Sequence, residues 1–163
     1  MLGRLVADEI QVPFIDLDDS FSVFFKETPG EFIIKNGEEK FRLNERNIFI
    51  RTIKELDSDA VIATGGGLPC YFDNMKLLCE EGTTIYLRAS VDFLLDRLYN
   101  RTVDRPLLGK GSREAIRCRI RSLLKQREIY YNQARYTIDI EHLQQREIVE
   151  DIIRICRGKR KGL

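Results

Sequence analysis

Two carboxylates that follow a short apolar run are the first residues able to do chemistry. Val12–Asp16 is predicted to be a strand, and Asp18 comes two residues after Asp16, on the same side of an extended chain. Acids at the carboxyl end of a parallel strand face the crevice in which open α/β sheets bind ligands. One carboxylate would hold magnesium through water while the other accepts a hydroxyl proton, as phosphoryl transfer requires. Alternatively, the acids only cap the next helix.

Two further segments add groups that bind anions. In Gly37–Glu45, which is predicted to be helical, Arg42 lies one turn before Glu45; it either binds a ligand or forms surface ion pairs worth about 0.5 kcal/mol. Three glycines, Gly65, Gly66 and Gly67, follow a second buried strand. Without side chains they let backbone N–H groups approach a ligand's oxygens, although a simple flexible turn has the same sequence.

Two arginines complete the candidate site. Arg105 lies near the start of a segment, Thr102–Ser112, whose proline, glycines and charges predict a mobile loop. On such a loop an arginine would stabilise charge on transferred phosphoryl oxygens, or it would only be solvated. Arg127 lies on a predicted long helix and is able to bind a carboxylate through two hydrogen bonds. The helix taken alone is merely amphipathic.

The elements that must position these residues alternate between strands and helices, which predicts a parallel sheet covered by helices. The predicted strands are Val12–Asp16, Ala60–Gly67, Thr83–Ala89 and Tyr136–Ile140. The predicted helices are Leu2–Ile10, Asp19–Lys26, Glu31–Lys35, Glu38–Leu56, Phe72–Glu80, one capped by Ser90, Arg113–Ala134 and Gln144–Arg157.

Composition limits the classes of partner. The 163 residues carry 27 basic and 26 acidic side chains, a net charge of +1, which predicts neither a nucleic acid nor a membrane partner. The four cysteines form no CxxC pair and there is one histidine, so we expect free thiols and no zinc site. No apolar run spans a bilayer, and acids appear too early for a signal peptide. We therefore expect a cytoplasmic protein, a monomer with a small-molecule ligand.

Taken together, the five elements resemble the shikimate kinases in order and spacing. The blocks FIDLD, GEEKFRLNE, IATGGG, DRPLL and REIYYNQA correspond to blocks of that family, and GGLPCYFDNM is similar to a Bacteroides-type variant. The likeness spans Leu2 to about Ile155. It implies a three-layer α/β P-loop kinase fold, with a parallel sheet of strand order 2-3-1-4-5. Residues 1–157 would form one domain, with a lid at about 102–113 and a basic tail at 158–163.

The resemblance also implies an activity, which is transfer of the ATP γ-phosphate to the 3-hydroxyl of shikimate, with magnesium, in aromatic amino acid biosynthesis. Carried over by position, the shikimate-binding residues are Asp18, Arg42, the glycine turn at residues 65–67 and Arg127. Asp18 would also be the base, and Arg42 and Arg127 would hold the carboxylate. Arg105 would contact ATP, Arg97 would lie against adenine, and Asp16 would contact magnesium through water.

The chain departs from the family pattern in one respect that bears on activity. The family begins with a strand and GxxxxGK[ST], whose amides and lysine bind phosphates; the 163 residues contain no such motif. We therefore expect four strands, without the central first one, and negligible ATP-dependent activity from residues 1–163. We also expect the natural gene product to carry the missing segment. A smaller departure is Pro29, which falls inside a stretch that is helical in the family.

Two other functions remain open from sequence. One is a non-catalytic protein that keeps the shikimate pocket as a sensor or partner subunit. The other is a related P-loop kinase for gluconate or a nucleoside monophosphate. The second accounts less well for Arg42 and Arg127 together, because two guanidinium groups suit a carboxylate better than a sugar or a base.

Overall fold

The structure, a computed structural model, describes residues 2–99 and 112–158. The helices are α1 (Leu2–Ile10), α2 (Leu17–Phe25), α3 (Pro29–Asn36), α4 (Glu38–Lys54), α5 (Asn74–Glu81), α6 (Val91–Tyr99), α7 (Arg113–Tyr131) and α8 (Gln145–Gly158). The strands are β1 (Phe14–Asp16), β2 (Val61–Ala63), β3 (Ile85–Arg88) and β4 (Tyr136–Asp139), and a short 3-10 helix spans Leu68–Cys70.

The four strands form two parallel pairs. β1 pairs with β2, with Phe14 opposite Val61. β3 pairs with β4, with Ile85 opposite Tyr136. Within the described ranges no strand joins β2 to β3. The predicted four strands are therefore confirmed. The pairs β1–β2 and β3–β4 are the ones that remain in the family order 2-3-1-4-5 when its central first strand is left out.

A cleft of about 2370 Å³ lies between the two pairs. Residues of both β2 and β3 line it, together with apolar side chains such as Val6 of α1, Phe49 of α4 and Ile120 of α7. The glycine turn that follows β2 lies at the same cleft. The cleft is larger than the roughly 300–1,000 Å³ of a pocket for one small ligand, so a binding site must be defined by its polar groups.

Two main hydrophobic clusters pack against the strand pairs, and Val61 of β2 belongs to the packing of the cluster around β3 and β4. Val6 of α1 and Ile148 of α8 belong to the cluster around β3 and β4. The cluster around β1 and β2 is aromatic: the ring of Phe21 packs against those of Phe32 and Phe41, with centroids 5.2 and 5.0 Å away. The aromatic cluster includes Phe49 of α4 and Leu68 just after the glycine turn, so it supports both on the β1–β2 side of the cleft.

Helix starts follow local capping chemistry. Thr28 and Glu31 form a capping box at the start of α3, with Pro29 at the first helical position, where its missing N–H costs nothing. Pro29 therefore begins a helix and does not interrupt one. Ser90 Oγ accepts a hydrogen bond from Phe93 N at 3.2 Å, which confirms the predicted cap. Ser112 caps α7 in the same way.

The predicted arrangement of the two acids is wrong, and so are some predicted boundaries. The first strand ends at Asp16 as predicted, but Asp18 lies in the first turn of α2, so the two acids do not share one strand face. The second strand ends at Ala63, well before Gly67, because the chain turns at the glycines into the 3-10 helix. α5 begins at Asn74 and not at Phe72.

Two other predicted segments fall largely outside the described residues. They are the mobile loop and lid, apart from the few residues from Ser112 onward, and the tail after Gly158, which itself belongs to α8. Cys70, Cys79, Cys118 and Cys156 carry free thiols. No helix in the described ranges combines the length and the apolar character that crossing a bilayer requires.

Candidate substrate-binding site

The glycine turn after β2 is the point at which the predicted site residues meet. A Cβ placed on Gly65 would lie 3.7 Å from Asp18 Oδ1, and one on Gly66 would lie 3.4 Å from Arg127 Nη1. A Cβ on Gly67 would lie 2.6 Å from Arg42 Cζ, so a residue with a side chain there would displace the guanidinium. Gly65 has a φ of +64°, a conformation that also favours glycine. The turn therefore gathers α2, α4 and α7 at one place.

Arg42 is the most enclosed of the predicted site residues. Its side chain is 5% exposed, and its guanidinium lies over the rings of Phe41 and Tyr71, at 4.9 and 4.5 Å from their centroids. Nη1 donates to Glu45 Oε2 at 2.9 Å, while Nε and Nη2 donate to Glu38 Oε1 at 3.2 and 2.9 Å. The alternative prediction that Arg42 forms ion pairs is therefore correct, but these ion pairs are buried and do not lie on the surface.

Burial and charge pairing set the ionisation of this cluster. Burial opposes the charge of Arg42, but the two carboxylates outweigh it and raise the pKa of the guanidinium. Loss of solvation raises the pKa of Glu45, against the attraction of Arg42. Burial also acts to raise the pKa of the Glu38 carboxyl, but hydrogen bonds from Arg42 and Tyr71 lower this pKa overall. The Arg42 guanidinium therefore stays positively charged beside the turn, with the two carboxylates as its counterions.

Arg127 approaches the turn from the last part of α7. One turn further along the helix, Tyr131 donates from Oη to the Gly66 carbonyl at 2.6 Å. The charge of Arg127 acts on Glu38, Glu45 and the Tyr131 phenol, which shows that both arginines share one electrostatic environment. Two guanidinium groups that converge on one turn can bind a planar carboxylate.

The two aspartates have different surroundings. Asp18 is exposed and faces Gly65 across the mouth of the cleft. Asp16 Oδ1 accepts a hydrogen bond from Asp18 N at 2.9 Å and caps α2. The helix-capping alternative is therefore correct for Asp16, and it leaves Oδ2 without a protein partner among the described residues.

Magnesium is the metal to which these carboxylates would be suited. Carboxylate oxygens suit magnesium, which usually keeps several waters and takes only one or two carboxylates. Asp16 would fit that role through water. Within residues 2–99 and 112–158, no cluster of three His, Cys, Asp or Glu side chains could hold a metal by itself.

Sequence reasoning missed the groups that hold the turn in place. Asn74 is fully buried at the start of α5; its Nδ2 donates to the Leu68 carbonyl at 2.9 Å and its Oδ1 accepts from Arg46 at 2.6 Å. It thereby ties the 3-10 helix after the glycines to α4. A polar residue at a helix start is expected to be exposed, so composition gave no signal for this burial.

Of the two predicted ATP contacts, Arg97 lies within the described residues. Arg97 is exposed on α6, and its guanidinium lies over the Phe93 ring of its own helix, 4.6 Å from the centroid. It is not brought to the glycine turn. Arg105 lies outside the described residues.

Comparison with known proteins connects this geometry to a family. A family model described as shikimate kinase matches residues 1–157. A shikimate kinase of Azobacteroides pseudotrichonymphae is 36% identical over 152 residues, which cover 93% of this chain and 89% of the relative. One of Bacteroides fragilis is 37% identical over 157 residues, which cover 96% and 86%. The chain belongs to the shikimate kinase family.

Solved shikimate kinases share its fold. The crystal structure of the Bacteroides thetaiotaomicron enzyme matches with a TM-score of 0.86 at 33% identity, covering 96% of this chain and 88% of that one. The Acinetobacter baumannii shikimate kinase in complex with shikimate also matches with a TM-score of 0.86, at 28% identity, covering 98% and 87%. The predicted shikimate kinase resemblance and its α/β P-loop kinase fold are both confirmed.

Proposed function

We propose that this chain binds shikimate at the glycine turn, as part of a kinase that transfers the γ-phosphate of ATP to the 3-hydroxyl of shikimate. The observation that carries the proposal is the convergence of Arg42, Arg127 and Asp18 on three consecutive glycines. The guanidinium groups of Arg42 and Arg127, together with the Asp18 carboxylate, match a ligand with a carboxylate at one end and hydroxyls at the other. Residues 1–157, the range that the family model matches, would form one domain.

The two arginines would bind the substrate's carboxylate. Arg42 is held by Glu45 and Glu38, so its guanidinium is oriented before the ligand arrives and little side-chain entropy is lost on binding. Arg127 would complete the pair from α7. Gly65, Gly66 and Gly67 leave room for the ring between the two arginines and Asp18, since a Cβ there would meet these side chains.

Asp18 would act as the base. It is exposed at the mouth of the cleft and faces Gly65, where a substrate hydroxyl would lie with its carboxylate on the arginines. A carboxylate within hydrogen-bond reach of that hydroxyl would accept its proton as the phosphoryl group is transferred. Magnesium, when bound, would neutralise charge on the phosphate oxygens, with Asp16 contacting it through water.

ATP is the co-substrate of the family. We infer that Arg105 contacts its phosphates and that Arg97 lies near its base. Residues 1–163 contain no GxxxxGK[ST], the segment whose backbone amides and lysine bind phosphates. We therefore expect residues 1–163 to bind shikimate without transferring phosphate at a measurable rate.

We further propose that the protein is a cytoplasmic monomer that binds neither nucleic acid nor membranes. The balance of 27 basic and 26 acidic residues supports this, because it provides no electrostatic attraction for a polyanion. Light scattering of the purified chain would test the oligomeric state.

Calorimetric titration of residues 1–163 with shikimate and, separately, with gluconate tests the substrate. We expect saturable binding of shikimate and none of gluconate. Binding of gluconate alone would contradict the proposal and favour a gluconate kinase. Addition of ATP and magnesium to the shikimate complex tests the activity, and substantial formation of a phosphorylated product would contradict the expected inactivity of residues 1–163.

A further inference from the structure

The hydroxyl of Tyr131 lies at the glycine turn, next to Arg127. It donates a hydrogen bond to the Gly66 carbonyl at 2.6 Å. A Cβ on Gly66 would lie 2.9 Å from Tyr131 Oη and 3.4 Å from Arg127 Nη1, so the phenol and the guanidinium both contact the space beside this glycine. The Cys70 thiol donates to the same Gly66 carbonyl at 3.6 Å. The hydroxyl therefore connects α7 to the glycine turn.

Packing fixes the ring of Tyr131 as well. Its centroid lies 5.0 Å from that of Tyr86 on β3, with the planes inclined by 39°. A Cβ on Gly66 would come within 2.9 Å of Tyr131 Oη, so only glycine at that position allows the contact. Because both ends of the side chain are held, Tyr131 provides a rigid reference point beside Arg127.

The spacing along α7 explains how Tyr131 acts on Arg127. The two residues are four positions apart, so they lie on the same face of the helix. An arginine side chain has four rotatable bonds, and holding it in one geometry costs side-chain entropy. In contrast to Arg42, which two carboxylates orient, Arg127 has the neutral phenol of Tyr131 as its neighbour beside Gly66.

We propose that Tyr131 is a positioning residue for the substrate's carboxylate: its hydroxyl holds the Arg127 guanidinium against the glycine turn. This inference rests on the proposed binding of shikimate. Tyr131 does not react and need not touch the substrate. Its loss should therefore weaken only the part of binding that passes through Arg127.

The variant Tyr131→Phe removes the hydroxyl and keeps the ring. The matched control is Tyr130→Phe, since Tyr130 makes no side-chain hydrogen bond among the described residues. We expect shikimate to bind Tyr131→Phe about tenfold more weakly than wild type, as for loss of a hydrogen bond to a charged group. Tyr130→Phe should bind as wild type does. The methyl ester of shikimate, which has no carboxylate charge, should bind wild type and Tyr131→Phe equally.

A double-mutant cycle separates positioning from a general structural effect. In an Arg127→Gln background the Tyr131→Phe change should have no further effect on the affinity for shikimate. An undiminished effect there would overturn the proposal, as would unchanged shikimate affinity of the single variant. Absence of shikimate binding by wild type would instead overturn the proposed function itself, and this inference with it.

A measurement without ligand covers the case in which the variant is less stable. The side-chain Nε–H signal of Arg127 in ¹⁵N spectra can be assigned by its loss in Arg127→Gln. We expect this signal at a distinct chemical shift in wild type and in Tyr130→Phe. In Tyr131→Phe we expect it at the chemical shift of solvent-exposed arginines. An Arg127 signal that does not move in Tyr131→Phe would overturn the proposal whatever the stability of the variant.

Discussion

Gly67 places the sharpest constraint on the geometry of the site. Its backbone has φ of −91° and ψ of −43°, so alanine is allowed there, but the added Cβ would lie 2.6 Å from Arg42 Cζ. We expect Gly67→Ala to displace the guanidinium, to cost about 1–3 kcal/mol of stability and to weaken shikimate binding about tenfold or more. Titration calorimetry and urea unfolding measure the two effects.

Gly82→Ala is the matched control for this change. A Cβ on Gly82 would meet the Leu78 carbonyl oxygen at an ordinary 3.8 Å. The control should bind shikimate as wild type does. If Gly67→Ala also binds normally, the enclosed position of Arg42 beside the turn is not the one that binds the ligand.

Glu38 gives the site a defined response to acid. Burial acts to raise its pKa, but hydrogen bonds from Arg42 and Tyr71 prevail and hold it below the ordinary 4.5. The ionised carboxylate therefore stabilises the fold above pH 4.5, and this contribution is lost as the pH falls through the lowered pKa. We expect Glu38→Gln to reduce the free energy of unfolding at pH 7, by less than about 1 kcal/mol because the side chain is partly exposed.

Unfolding at several pH values tests whether the charge of the Glu38 carboxylate is what stabilises the fold. The difference between wild type and Glu38→Gln should shrink as the pH falls below 4.5, in chemical unfolding at a series of pH values. The exposed neighbour Glu39 provides the control Glu39→Gln. A Glu38→Gln effect that stays constant down to acid pH would mean that the carboxylate charge is not involved.

Residue types and spacing predicted which groups meet at the turn but not how each is held. Asp18, Arg42 and Arg127 were identified from motif order, and the structure brings all three to residues 65–67. The burial of Arg42 and the hydroxyl contacts of Tyr131 depend on packing between α4, α7 and the turn. Such contacts join residues far apart in sequence, so no local pattern encodes them.

At the scale of elements, the 3-10 helix Leu68–Cys70 controls the position of the turn. Asn74 binds its Leu68 carbonyl from α5 and is fully buried. We expect Asn74→Ala to leave that carbonyl and the partner Arg46 without this contact and to cost about 1–3 kcal/mol in unfolding by urea. Asn44→Ala, which removes an exposed contact within α4, should cost much less. Equal effects would mean that the buried amide does not stabilise the turn.

Helix periodicity and caps predicted most elements, whereas the second strand was predicted to end too late, at Gly67 and not at Ala63. The capping serine of α6 and the long helices α4 and α7 follow from local signals. The strands span only three or four residues, because ladder pairing and not propensity sets where they end. Pro29 is a further position that its residue type did not predict correctly. The capping box formed by Thr28 makes Pro29 the start of a helix.

At the scale of the whole molecule, the cleft separates two strand pairs with different cores. In a parallel ladder alternate residues direct their N–H groups to the same neighbour. Val61 N donates to the Pro13 carbonyl at 2.9 Å, so the N–H of Ile62 faces the cleft. We expect the Ile62 amide to exchange with solvent much faster than that of Val61 in NMR hydrogen exchange. Equal protection of the two amides would show that another group pairs with β2.

The central claim is that two guanidinium groups and one carboxylate around the glycine turn form the pocket for shikimate. A crystal structure of the protein with shikimate tests it most directly. We predict the ligand's carboxylate within hydrogen-bond distance of both Arg42 and Arg127, with a hydroxyl facing Asp18. A ligand bound elsewhere, or turned so that its carboxylate leaves both arginines, would contradict the account.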